Sequence, residues 1–365
     1  MHLDSDFLNR LVRGAPWLWI NSRARAAAAA ITVLGLFGGV ALFETSEPWR
    51  RLAAAEPKAG AARETRLLAT LAWVGASRVD TVILLGGSTA QELPPSEARL
   101  SALLTERCDR PIRFINGATS SQTMAESWMV AEAVPDSRRA LVVVGMNYQR
   151  FEEGFAEVAR DVSAPLLPLR SSRALEDALN EAGQPPVQTL SSLAGTAWLL
   201  HRLDQVNFRA EPEPFEVFLA RRDGETPWHG PLNLYRDPPL GPAKKAAIVR
   251  QMIAERLSLF EGRRAEAGAL WRAFVRRFEG PDSTVLFLAL PEDPSMTPFA
   301  AFAGEGFAHE MAGLGGAGAR VADWRTDHGL VPRDFYDQQH LLQSGRRKLE
   351  PRLADLLAGA VVGCD

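Results

Sequence analysis

Five short runs of aliphatic residues, spread over a chain of 365, constrain the fold of this sequence more than any other feature. They are TVILL (81–85), IRFI (112–115), ALVVVG (140–145), TVLFLAL (284–290) and ARVADW (319–324). Most lack the apolar and polar alternation of a half-exposed strand, so both faces must be covered. Helical periodicity fills the intervals, as in AARETRLLATLAWVGA ahead of the first run. Strands alternating with helices build a parallel sheet through crossover connections. The expected fold is therefore α/β: a three-layer α/β/α sandwich around a five-stranded parallel sheet of order 2-1-3-4-5.

Between Phe151 and Gly280 the rhythm breaks. Prolines accumulate, charged helical pieces such as KKAAIVRQMIAERLSLFEGRRAEAGALWRAFVRRFEG appear, and the interval is too long for a simple crossover. It reads as a helical insertion after the third strand that ends in the crossover helix to the fourth. Insertions at strand C-termini shape ligand sites, so this one is expected to form a wall or a lid.

The N-terminal region carries an uncharged run, AAAAAITVLGLFGGVALF, from Ala26 to Phe43. At about 1.5 Å per residue such a helix covers roughly 27 Å, close to the apolar thickness of a bilayer. A transmembrane anchor is the expectation; a buried core helix and a cleaved signal peptide are the alternatives. The preceding DFLNRLVRGAPWLWI fits an interfacial helix better than a signal n-region. The expected division is a cytoplasmic or interfacial segment 1–25, an anchor 26–43, a linker and helix 44–79, and a domain 80–365 with the insertion at 151–280. Basic residues on both sides of the span (Arg10, Arg13, Arg23 and Arg25 before it, Arg50, Arg51 and Lys58 after it) leave its orientation open. With 41 Lys and Arg against 44 Asp and Glu, the chain has no basic field to draw in nucleic acid.

In an open parallel sheet, ligands bind beyond the carboxyl ends of the strands. The first run ends at Gly86-Gly87-Ser88-Thr89, the second at Asn116-Gly117, the third at Asn147, and past the fifth lies DFYDQQHLLQSG with Asp337 and His340. Ser88, between a strand and a helix start, projects its hydroxyl at the sheet edge and has a backbone N–H without a helical acceptor. A serine needs a base, which His340 supplies; Asp337, three residues earlier, can hold the imidazole tautomer. Further oxyanion donors, the Gly117 N–H and the Asn147 amide, arrive from the next two strands. Alone, each piece has a plainer reading: a helix cap or phosphate nest for the Gly-Gly-Ser-Thr turn, a turn residue for Asn147, a polar helix start for DQQH. His201, His229, His309 and His328 read as structural or surface residues, His328 being the rival base.

Taken together, LLGGSTA with Ser88, INGATSSQT with Gly117, VVVGMNYQRF with Asn147 and DFYDQQHLLQSG with Asp337 and His340 resemble the four blocks of the SGNH, or GDSL-like, hydrolase superfamily. The resemblance covers about 80–150 and 280–360 and is nearest to the membrane-anchored envelope members of bacterial exopolysaccharide O-acetylation. It implies a Ser88 nucleophile, an Asp337-His340 pair, an oxyanion hole of Ser88, Gly117 and Asn147, and a membrane-bound O-acyltransferase partner for a transferase. Gly87 departs from the family's Gly-Asp-Ser, and HLLQSG from its commoner His-Leu-Asn. The α/β-hydrolase elbow fits less well, because Ala90 stands where a second glycine belongs.

There are two cysteines. In a doubly wound sheet, Cys108 at the end of the first helix and Cys364 after the last both reach the bottom edge, where they could pair; the alternative is two unrelated thiols. A bond there requires an oxidising compartment. The sequence thus points to a serine acyl-esterase or O-acetyltransferase acting on an envelope or exported carbohydrate, extracytoplasmic and without a cofactor. Two rivals remain: a non-catalytic SGNH-fold scaffold subunit of a membrane complex, and a flavodoxin-like phosphate-binding domain, which leaves Asp337 and His340 without purpose.

Overall fold

The computed structural model describes residues 79–134, 139–163, 172–184, 239–296 and 304–364, with 67, 70, 71, 74, 75 and 77 ahead of them. The expected anchor at 26–43, the segment before it and most of 44–79 lie outside the described residues, as do 164–171 and 185–238 of the insertion. Among the described residues no helix is long and apolar enough to cross a membrane.

The sheet is five-stranded and all-parallel in the order β2-β1-β3-β4-β5, with β1 at Asp80–Leu85, β2 at Ile112–Asn116, β3 at Ala140–Met146, β4 at Ser283–Ala289 and β5 at Arg320–Asp323. Each apolar run feeds two cores, because successive strand side chains point to opposite faces. Ile83, Leu85, Val142, Val144, Val285 and Phe287 enter one core; Val82, Leu84, Leu141, Val143, Leu286 and Leu288 enter the other. The outcome is the sandwich expected from continuous apolar runs. The exception is β5, which is largely exposed, with Val321 39% accessible. It is an edge strand paired only with β4, so its short sequence need not be apolar throughout.

Helices α1 (Ser88–Gln91) and α2 (Glu97–Cys108) follow β1, and α3 (Met124–Glu132) follows β2. Thr123 and Glu126 form a reciprocal capping box at the start of α3. The described insertion comprises α4 (Phe155–Ser163), α5 (Arg173–Glu181) and α6 (Pro242–Phe278). Its charged pieces form one 37-residue helix, entered through Pro242 after Gly241. Trp271 and Phe274 of α6 pack on Phe287 of β4, and Phe274 and Phe278 on Trp128 of α3. Helices α7 (Gly304–Gly316) and α8 (Gln343–Ala360) complete the layers, α8 packing against α2.

At the edge opposite the strand C-termini, Cys108 and Cys364 form a disulfide across a sequence separation of 256. Arg110 fastens the same corner, donating to the Gly363 and Val362 carbonyls and pairing with Asp80. Closing so long a loop removes much unfolded-state entropy, so a Cys108→Ser, Cys364→Ser double variant is expected to lose about 2–5 kcal/mol of stability. Urea unfolding with and without reductant measures it: reductant should lower the wild-type midpoint and leave the variant's unchanged.

Candidate active site

The order 2-1-3-4-5 reverses direction between β1 and β3, and the crevice at such a switch point is where doubly wound sheets bind ligands. Ser88 sits there as the first residue of α1, half-buried, after a turn whose shape depends on Gly86. Gly86 has φ +140°, and a Cβ on it would lie 2.7 Å from the Ala90 Cβ. A Cβ on Gly145 of β3 would lie 2.6 Å from that same methyl. Ala90 therefore packs α1 directly onto two strands, which explains the small residue where an α/β-hydrolase elbow has glycine. Gly87 stands in open space, so the missing aspartate is not excluded by crowding.

Ser88, Asp337 and His340 come together. The Ser88 Oγ is 2.9 Å from His340 Nε2, and His340 Nδ1 is 2.8 Å from Asp337 Oδ2 and 3.0 Å from Oδ1. A carboxylate only accepts, so Nδ1 carries the proton; the lone pair of a neutral ring is then on Nε2, and the serine hydroxyl donates to it. Asp337 Oδ1 also accepts the backbone N–H groups of Gln339 (3.0 Å) and His340 (2.9 Å), folding DQQH into a tight loop around its own carboxylate. Burial alone would raise the Asp337 pKa. The His340 hydrogen bond, the imidazole's charge and the two amides outweigh burial and hold it below the ordinary carboxylate range.

A depressed carboxyl pKa contributes stability that is present above the unfolded-state value, about 3.9, and is lost as pH falls through the lower folded value. Wild-type protein should therefore lose more melting temperature than Asp337→Asn on acidification below about pH 4. Parallel melting curves would refute this.

Of the expected oxyanion donors, the structure engages two elsewhere. The Gly117 N–H donates to the Ile115 carbonyl at 3.2 Å, closing a three-residue turn. A Cβ on Gly117 would meet the Thr70 Cγ2 at 2.9 Å and the Leu84 carbonyl at 3.3 Å, so close packing sets the path of this turn. The Asn147 amide nitrogen lies 3.3 Å from Gln149 Oε1 and 3.5 Å from Gln339 Oε1. Both Asn147 contacts are long for hydrogen bonds. The third expected donor, the Ser88 N–H, lies in the first turn of α1 and has no acceptor within its helix by position.

His328 is not a rival base. Its Nδ1 accepts from the Leu330 N–H at 3.0 Å, so Nε2 carries the proton and donates to the Glu292 carbonyl at 2.9 Å. Both ring nitrogens are occupied in holding the loop before the Asp337 turn. Among the described residues no group of three or more His, Cys, Asp or Glu side chains could hold a metal ion.

Several residues around the site escaped sequence reasoning. Glu92, at the end of α1, is buried in an ion pair with Arg346 in the first turn of α8, linking the Ser88 turn to the helix that follows His340. Burial lowers the Arg346 guanidinium to about 10. Lys245, in the first turn of α6, donates to Asp293 Oδ2 (2.5 Å) and to the Pro332 and Phe335 carbonyls (3.0 Å each) under the Asp337 loop. Gln122 holds the turns after β1 and β2 together. Glu292, just past β4, is pushed up to about 7 by burial, with Arg325 opposing and Asp323 adding to the rise. Chain position just beyond a strand end was the one available signal for Gln122 and Glu292.

Comparison of the sequence with protein-family models and with curated proteins finds no match to either.

Proposed function

We propose that this protein is an SGNH-type serine acyl-esterase or O-acetyltransferase that works through an acyl-enzyme on Ser88. The observation that carries the reading is the continuous chain from hydroxyl to imidazole to carboxylate, at 2.9 and 2.8 Å, at the switch point of the sheet. Ser88 Oγ attacks an acyl carbonyl carbon while its proton passes to His340 Nε2. Asp337 stabilises the imidazolium so formed. The tetrahedral adduct collapses with expulsion of the alcohol oxygen, which takes the proton from His340. Water or a second hydroxyl, deprotonated by the same nitrogen, then attacks the acyl-serine and frees Ser88. An envelope or exported carbohydrate as acceptor, a membrane-bound O-acyltransferase partner, the transmembrane anchor and an extracytoplasmic location rest on the resemblance of the four motif blocks and on the apolar run 26–43. The Cys108–Cys364 bond supports an oxidising compartment.

Mass spectrometry after incubation with a small acetyl ester tests the reading. The wild type should gain one acetyl group on the peptide containing Ser88, and an oligosaccharide acceptor should shorten its lifetime if transfer rather than hydrolysis is the physiological step. One observation favours a second reading, a non-catalytic scaffold: the Gly117 and Asn147 donors are already engaged within the protein. A folded wild type that is never acylated would support the scaffold and count against the acyl-enzyme.

A further inference from the structure

We infer that Gln122 is a positioning residue that sets the geometry of the oxyanion-binding turns, an inference resting on the acyl-enzyme reading. Gln122 is 3% exposed, and its side-chain amide lies between two strand-end turns. Oε1 accepts from the Gly86 N–H at 2.7 Å, and Nε2 donates to the Gly117 carbonyl at 2.9 Å. One primary amide thus fixes the Leu85–Gly86 peptide, two residues ahead of Ser88, and the Gly117–Ala118 peptide. The backbone repeats the tie: the Thr119 N–H donates to the Gly86 carbonyl at 3.0 Å, and the Gln122 N–H to the Thr119 carbonyl at 3.1 Å.

The third turn joins through Arg150, in the 3-10 turn Tyr148–Phe151 that follows Asn147. Arg150 Nη1 donates to the Gln122 carbonyl at 2.5 Å and Nη2 to the Ser127 hydroxyl at 2.7 Å; that hydroxyl donates in turn to Gln122 Oε1 at 3.0 Å. The Arg150 N–H donates to the Asn147 carbonyl at 3.1 Å. The guanidinium is buried 5.1 Å over the Trp271 ring, and Trp271 Nε1 donates to the Arg150 carbonyl at 3.1 Å. The turns after β1, β2 and β3, each carrying one expected oxyanion donor, therefore share one buried network with Gln122 at its centre. Ser121, immediately before it, is held at φ 54°, a left-handed conformation that a serine adopts at a cost of about 1–2 kcal/mol.

The test is steady-state hydrolysis of a small acetyl ester by the full chain, normalised to active sites titrated with a fluorophosphonate. Gln122→Met keeps the side chain's length and removes both amide contacts. Gln122→Glu keeps an acceptor for the Gly86 N–H but loses the donor to the Gly117 carbonyl. Because a displacement of about 1 Å at a reacting centre costs roughly 10²-fold, Gln122→Met should lower kcat per titrated site by about 10², with KM within about threefold. Gln122→Glu should fall between it and the wild type. A merely structural glutamine would lower the titrated fraction and the melting temperature and leave kcat per site unchanged. Wild-type kcat per site in both variants overturns the inference and spares the catalytic reading; no acylation of the wild type overturns both.

Discussion

Replacing His340 by alanine should slow fluorophosphonate labelling of Ser88 by roughly 10⁶-fold, the order seen when the histidine of a serine triad is removed. The expectation follows from the 2.9 Å contact between Ser88 Oγ and Nε2, the one described path by which the hydroxyl can lose its proton. Asp337→Asn tests the other half of the relay. An asparagine amide facing Nδ1 donates where the carboxylate accepted, so the ring is turned to the wrong tautomer and its Nε2 proton faces the serine. A loss of about 10³- to 10⁴-fold is expected, with little change in probe affinity. His328→Gln provides the contrast: His328 uses both nitrogens to hold backbone groups, so this variant should lose stability and keep its labelling rate. Equal loss in the His328 and His340 variants would remove the assignment of His340 as base.

Lys245→Met should lower folding stability by about 3–5 kcal/mol, the penalty for leaving a buried charge without its partner. Both members of the Lys245–Asp293 pair are almost fully enclosed, at 4% and 0% side-chain exposure. The lysine also satisfies the Pro332 and Phe335 carbonyls, which would lose a charged donor. Asp293 keeps its bonds from the Ser295 N–H and hydroxyl, so Lys245→Met combined with Asp293→Asn should recover part of the loss. A double-mutant cycle in urea isolates the coupling. The same variant should slow Ser88 labelling, because α6 and the residues leading into it clasp the His340 loop at several points: the Leu240 N–H donates to the Tyr336 carbonyl, and the Gln338 amide to Met252 Sδ. In its described part, the insertion expected to form a wall or a lid braces the loop that carries His340.

That brace shows what a sequence conceals. Lys244 and Lys245 read as the solvated face of a charged helix, and nothing local distinguishes the residue that turns inward. Gln122 in TSSQT reads as an ordinary polar loop residue, and Glu92 and Arg346 are separated by most of the domain. Their roles arise where three strand ends and two helices meet, and those meetings are set by packing rather than by neighbours in the chain. Gly117 differs for a similar reason: its N–H was expected to face the crevice and instead donates to the Ile115 carbonyl, in a turn packed too closely against Thr70 and Leu84 for a side chain.

By itself the sequence determined the elements that local pattern encodes. Continuous aliphatic runs define strands covered on both faces, glycines and small residues mark the turns after them, and the chain order of Ser88, Asp337 and His340 puts three reactive groups at strand ends. These follow from periodicity and backbone freedom, which act over a few residues. Only the tertiary structure decided that Ser88 Oγ and His340 Nε2 stand at hydrogen-bond distance, that Cys108 meets Cys364, that β5 is exposed, and that Gln122 and Lys245 hold the site. Each of these depends on the register and packing of segments far apart in the chain, an energy term that exists only once the layers have closed on the sheet.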